Sequence, residues 1–258
     1  MKRRLILIWF LGITVMGYAQ TGCIQPGFSY SYRMVRMDST WDSKIDPMLQ
    51  QYVDIKHQQL EDMINIVIGH SEQTLTSFVP ESPLSNFLTT VLLEKGPQYV
   101  DDPLFAKCDM SLLNFGGIRS QIPAGDVRVA DIYAISPFEN TLVFLQIKGS
   151  ELRKALTRFT DKKNAPMAGV VMTFRNGKPV KILVGKEPLD DNRLYTMVTL
   201  DFIAKGGDGI ISDIQFEKAV YVNMVFREFL IEEIKEMTSE GQSIDGRLED
   251  RVIIERQP

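Results

Sequence analysis

The stretch LLNFGGIRSQIPAGDV, residues 112–127, runs an apolar pair into an asparagine, a glycine pair and an arginine. Glycine pairs let a backbone take positive φ or pass close to another group, so the stretch reads as a strand ending in a tight turn or a site. Working outward, the alternation of apolar and polar residues predicts strands at 109–113, 141–147, 169–175, 179–184 and 194–200, with Asn176 and Gly177 turning a hairpin. The segment EQTLTSF, 72–78, alternates in the same way, and a short strand is predicted at 251–255.

Helix signals lie between these strands. Asp46 and Pro47 make an N-cap and first-turn pair, opening a helix whose apolar positions are Met48, Leu49, Tyr52, Val53, Leu60, Met63, Ile64 and Val67. Ser82 and Pro83 repeat the signal before a helix through Glu94, and further helices are predicted at 149–159 and 219–238. Strands and helices occur in mixed order without strict β-α-β alternation. The fold class is therefore α+β, mixed β-sheets flanked by helices.

At the N-terminus, Lys2, Arg3 and Arg4 precede the apolar run LILIWFLGITVM and the small residues Gly17 and Ala19. This pattern is a secretory signal peptide over 1–19, followed by an extended leader over 20–45 and one domain over 46–258. Export to the periplasm or cell envelope follows. The alternative is a lipoprotein anchored through a lipid on Cys23. No later apolar run approaches the roughly 20 residues of a spanning helix, so no membrane span is expected. The net charge of −4 gives no reason to expect a nucleic acid polymer as partner. Of the two cysteines, Cys23 and Cys108, a single disulfide or a small buried Cys108 are both open readings.

A two-metal hydrolase needs several His, Asp and Asn ligands, whereas the only histidines are His57, on the polar side of the first helix, and His70, at its end. Both read as surface or capping residues, and no metal ligand set, nucleophile motif or phosphate-cradling glycine loop is found. What remains suits recognition. Asn114 offers an amide, Gly116 and Gly117 permit close approach, and Arg119 offers a planar fork for phosphate or carboxylate. Phe138 follows Pro137, and Phe202 stands six residues before Asp208 with a second glycine pair between them. Taken singly, each phenylalanine reads as a core ring and Asp208 as a turn or cap.

Taken together, NFGGIR (114–119), GDVRVAD (125–131), PFENTL (137–142) and DFIAKGGDG (201–209) stand in the order and at the spacing of the C-terminal, substrate-binding domain of the 5′-nucleotidases, which residues 50–255 resemble. The resemblance implies a base clamped between Phe138 and Phe202, with Asn114 and Asn140 on the base edge, Asp208 on the ribose hydroxyls and Arg119 on the phosphate. It departs from the family at VPESPLSNFLTT (79–90), where Pro80 replaces an arginine, Ser85 a glycine and Thr90 an aspartate. Phe115 replaces the middle glycine of the first motif. In the family a catalytic metallophosphatase domain carries two metals ahead of this region. The expectation is thus the nucleotide-recognition half of a split 5′-nucleotidase, with no cofactor of its own and with divalent metals in a separately encoded metallophosphatase subunit. A stand-alone nucleoside- or nucleotide-binding protein is the alternative.

Overall fold

The structure, a computed structural model, describes residues 31–36, 38, 39 and 46–255. The predicted signal peptide, Cys23 with its lipid or disulfide, and most of the predicted leader lie outside these residues. The chain divides into two units, one up to Val53 and one from Asp54 onward. Helix α1, Pro47–Ile64, begins in the first and ends in the second. In the first unit, Asp46 caps the helix, its carboxylate accepting from the backbone N–H groups of Met48 at 2.8 Å and Leu49 at 3.3 Å.

The second unit continues through β1 (Val67–Ser71), α2 (Pro83–Lys95), β2 (Met110–Leu112), β3 (Gly125–Arg128), α3 (Val129–Ile135), β4 (Thr141–Lys148) and α4 (Gly149–Leu156). It is completed by β5 (Met167–Ala168), β6 (Val170–Arg175), β7 (Lys178–Val184), β8 (Glu187–Pro188), β9 (Leu194–Leu200), α5 (Asp201–Ala204), β10 (Phe216–Val225), α6 (Phe226–Ser239) and β11 (Val252–Glu255). The central sheet has the order β10-β4-β9-β2-β5, a second has β11-β6-β7-β8, and β1 pairs with β3. Asn176 and Gly177 turn the β6–β7 hairpin, both at positive φ.

Two of the inner strands, β4 and β9, explain why the central sheet is covered on both sides. Along β4, Leu142 and Phe144 pack into one apolar cluster with α2, α3 and α6, while Val143, Leu145 and Ile147 pack into another with α4, β6 and β7. Likewise β9 sends Val198 and Leu200 one way and Tyr195 and Met197 the other. Period-two side-chain alternation on a strand buried on both faces demands this near-continuous apolar run.

Three expectations are corrected. The first helix stops at Ile64, and Val67 instead opens β1, where the β-branched run Ile66-Val67-Ile68 favours extended backbone; His70 therefore sits on a strand facing Asp126 at 3.7 Å rather than at a helix end. Residues 72–78 do not form a strand. Ser71 Oγ donates to the Gln73 carbonyl and turns the chain, leaving only the Leu75–Ile122 bridge with its reciprocal backbone bonds of 2.9 and 3.1 Å. The helix predicted over 219–238 is strand β10 followed by helix α6, because Val220, Val222 and Met224 pack on the core while Tyr221 and Asn223 face outward, a period of two.

Candidate functional site

Strand direction brings three of the four motifs together. Within the central sheet β4 is antiparallel to β9, with Leu142 opposite Leu200, and β2 is parallel to β9, with Ser111 opposite Val198. The end of β2, the start of β4 and the end of β9 therefore share one edge of the sheet. Asn114, Phe138 with Asn140, and Phe202 with Asp208 leave from those three points. Val225, opposite Thr141, brings the end of β10 and Arg227 to the same place.

At the first of these points, Asn114 is buried and its amide donates to Asp208 Oδ2 at 2.6 Å. The residues the sequence assigned to base and ribose thus meet each other, and Asn114 holds the carboxylate of Asp208 in place. Gly116 and Gly117 form a tight turn with Phe115. Neither needs positive φ. Gly117 is required by proximity, since a Cβ there would lie 2.7 Å from Asn114 Oδ1. Arg119 stands at the exposed end of the turn, its guanidinium donating to the Gly116 carbonyl at 3.3 Å.

Asp208 itself takes left-handed backbone, φ 55°, between Gly207 and Gly209. Aspartate tolerates this region better than most side chains, and such backbone concentrates at functional sites. Phe202 lies on α5 and remains 41% exposed, its ring seated against Gly207 so closely that a Cβ at 207 would overlap it. Phe138 is 44% exposed. Read singly as core rings, both are instead presented at the surface, at one edge of one sheet. Among the described residues no ring-to-ring contact joins them.

The Phe138 loop is held from two sides. Arg227, buried at the start of α6, donates from Nη1 to the Pro137 and Phe138 carbonyls at 3.4 and 3.5 Å and lies 4.3 Å over the Tyr133 ring. The Asn140 carbonyl accepts from Phe226 N–H at 2.8 Å, and its side chain lines a crevice with Asn114, Gly117 and Ser136. Thr141 N–H donates to Asp201 Oδ1 at 3.1 Å, tying this loop to the turn that carries Phe202. Burial opposes ionisation of Asp201, but hydrogen bonds from Lys205 and from the Thr141 and Phe202 backbone outweigh it and hold the carboxyl below its ordinary range. Sequence reading missed Arg227, whose partners lie 89 and 90 residues away.

Cys108 is buried, and burial, followed by the neighbouring Asp109 charge, pushes its thiol up to about 12. Such a thiol is no nucleophile at neutral pH. Among the described residues, no three His, Cys, Asp or Glu side chains lie together in a way that would hold a metal ion. No helix of the described residues is long and apolar enough to cross a membrane.

With this geometry in hand, similarity to known proteins is specific. A family model described as 5′-nucleotidase, C-terminal domain, matches residues 67–214. The chain is 39% identical over 111 residues to Protein UshA of Yersinia enterocolitica, covering 40% of this chain and 20% of that protein. Against the trifunctional nucleotide phosphoesterase protein YfkN of Bacillus subtilis, identity is 25% over 264 residues, covering 94% of this chain and 17% of that one. The chain thus spans about a fifth of each of these two relatives. The crystal structure of a 5′-nucleotidase precursor from Thermus thermophilus superposes with a TM-score of 0.67 at 27% identity, over 82% of this chain and 44% of that one.

Proposed function

The chain belongs to the 5′-nucleotidase C-terminal-domain family, and on that premise we propose that it is the exported nucleotide-recognition half of a split 5′-nucleotidase. One observation carries the reading: two exposed phenylalanines and a hydrogen-bonded Asn114–Asp208 pair converge on one edge of the central sheet. Exposed aromatic rings held by a buried scaffold suit the faces of a nucleobase. Each stacked ring contributes roughly 1–3 kcal/mol, so two rings with a few polar contacts account for micromolar affinity.

In this reading Phe138 and Phe202 take the base between them, and Asn140 meets the base edge. Asp208, oriented by Asn114, accepts from the ribose hydroxyls through its free carboxylate lone pairs. Arg119 pairs with the phosphate. A metallophosphatase subunit on a separate chain supplies metals and water in this reading. Positioning across an interface serves as well as positioning through a linker, because the barrier falls only when the reacting groups are held together.

The test is phosphate release from AMP with the chain alone, with divalent metals added, and with a candidate metallophosphatase added. Release only in the last mixture, weakened by Phe138→Ala and Phe202→Ala, supports the split enzyme. Release by the chain and metals alone refutes it. Binding of AMP with no release in any pairing would make the chain a stand-alone receptor.

A further inference from the structure

Behind the Asn114–Asp208 pair lies a cavity of about 560 Å³ that the base clamp does not use. Its lining includes Asn114, Gly116 and Asp208 together with Arg158, Lys162, Lys163 and Asn164. From this geometry we infer that the cavity is the phosphate pocket of the nucleotide site and that Lys162 and Lys163 are its anion-binding cations. The inference rests on the nucleotide-recognition reading above and names the group that separates nucleotides from nucleosides.

Four observations support it. First, the charges do not cancel. Arg158 is neutralised by a bidentate pair with Asp213, at 2.6 and 2.8 Å, but among the described residues neither lysine ammonium has a carboxylate or carbonyl partner. Two unpaired cations thus line the same cavity as one carboxylate, Asp208, whose Oδ2 already accepts from Asn114.

Second, the lysines are carried by a closed turn rather than by a free loop. Thr160 N–H donates to the Lys163 carbonyl at 2.9 Å and Lys163 N–H returns to the Thr160 carbonyl at 3.3 Å, while Thr160 Oγ1 accepts from the N–H groups of Lys162 and Lys163. Anchoring the backbone in this way lowers the entropy lost when the ammonium groups close on an anion.

Third, the lining of the cavity contains an orphan. Asn164 donates from Nδ2 to the Pro80 carbonyl at 3.1 Å, yet its Oδ1 is buried without any hydrogen-bond partner. Buried acceptors are rarely left so, and this one marks the lining as polar surface that the chain's own hydrogen bonds do not fully satisfy.

Fourth, the cavity adjoins the turn that carries Arg119. Gly116 lines the cavity, and its carbonyl accepts from the Arg119 guanidinium. A phosphate in the cavity would meet the lysine turn directly and lie next to the turn from which Arg119 projects. The aromatic rings, which leave from the same sheet edge, recognise the base without help from these cations. Base affinity and phosphate affinity should then separate by mutation.

The experiment is calorimetric titration of the full chain with adenosine, AMP and inorganic phosphate, for wild type, a Lys162→Ala/Lys163→Ala double variant and a Lys162→Arg/Lys163→Arg double variant. Wild type should bind AMP more tightly than adenosine. The alanine variant should bind AMP about tenfold to a hundredfold more weakly with adenosine unchanged, and the arginine variant should recover most of the loss. An AMP advantage that survives in the alanine variant overturns the assignment of the lysines while leaving the base clamp standing. Adenosine and AMP both failing to bind wild type refutes the clamp reading itself. Inorganic phosphate binding as tightly as AMP would make the cavity a free-anion site and overturn its assignment to the nucleotide.

Discussion

Asn114 and Asp208, 94 residues apart in the chain, meet through a 2.6 Å hydrogen bond from amide to carboxylate. The contact closes the first and last family motifs on each other and fixes where the Asp208 carboxylate, proposed to bind the ribose, points. Asn114→Ala removes a hydrogen bond to a charged group, worth about 1.5–3 kcal/mol, and should weaken nucleoside binding by one to two orders of magnitude. Asn114→Asp places two carboxylates in contact, so one must hold a proton to remain there. Its adenosine affinity should be poor at neutral pH and improve as the pH falls toward 5. Calorimetry at several pH values checks both variants.

Arg227 tests whether the position of Phe138 matters. Its guanidinium bonds the carbonyls of Pro137 and Phe138 and lies over Tyr133, a geometry that a lysine ammonium cannot reproduce. Arg227→Lys should keep the fold and lose adenosine affinity several-fold, and adding it to Phe138→Ala should cost no more than Phe138→Ala alone. Additive losses would place Arg227 outside the clamp.

Gly207 makes the same test on the other ring. A Cβ at 207 would overlap the Phe202 ring, and the backbone there needs no positive φ, so Gly207→Ala acts by displacing the ring. Adenosine affinity should fall to that of Phe202→Ala, with the unfolding midpoint little changed. Retained affinity would show that the ring can move without consequence.

Away from the site, Glu233 sets a pH dependence of stability. It is 2% exposed, accepts from the Tyr99 hydroxyl at 2.7 Å through Oε1, and has no hydrogen-bond partner on Oε2, with Lys95 Nζ at 3.9 Å. Burial raises its carboxyl above the ordinary value. Because the folded-state value exceeds the unfolded one, the protonated carboxyl contributes stability that is complete below the unfolded value and is lost as pH rises through the folded value. Glu233→Gln, a neutral isostere, should raise the unfolding midpoint at pH 8 relative to wild type and narrow the difference between pH 5 and pH 8. Thermal unfolding at the two pH values decides it.

Much of this architecture was legible because local pattern and global fold agree. The period-two apolar runs of 141–147 and 194–200 are the inner strands β4 and β9, and Asn176-Gly177 is the hairpin turn. Where a run satisfies two periods at once, pattern failed: AVYVNMVFREFLIEEI, 219–234, reads as helix throughout, and only tertiary pairing with β4 makes its first part a strand. The grouping of Asn114, Phe138, Phe202 and Asp208 at one end of the central sheet was legible through their ordered motifs. Arg227 was not, because its contacts join distant points of the chain, and Lys162 and Lys163 gave no signal until the fold set them in one cavity with Asp208. The departure at Pro80 marked a missing cation without indicating what stands in its place.

The central claim is that Phe138 and Phe202 hold a nucleobase, and adenosine binding to the full chain tests it most directly. Wild type is predicted to bind, with ligand at 100 times its dissociation constant stabilising the fold by about 2.7 kcal/mol, and Phe138→Ala and Phe202→Ala are each predicted to lose most of that gain. Equal stabilisation of wild type and both variants, or none of wild type by any nucleoside, would contradict it.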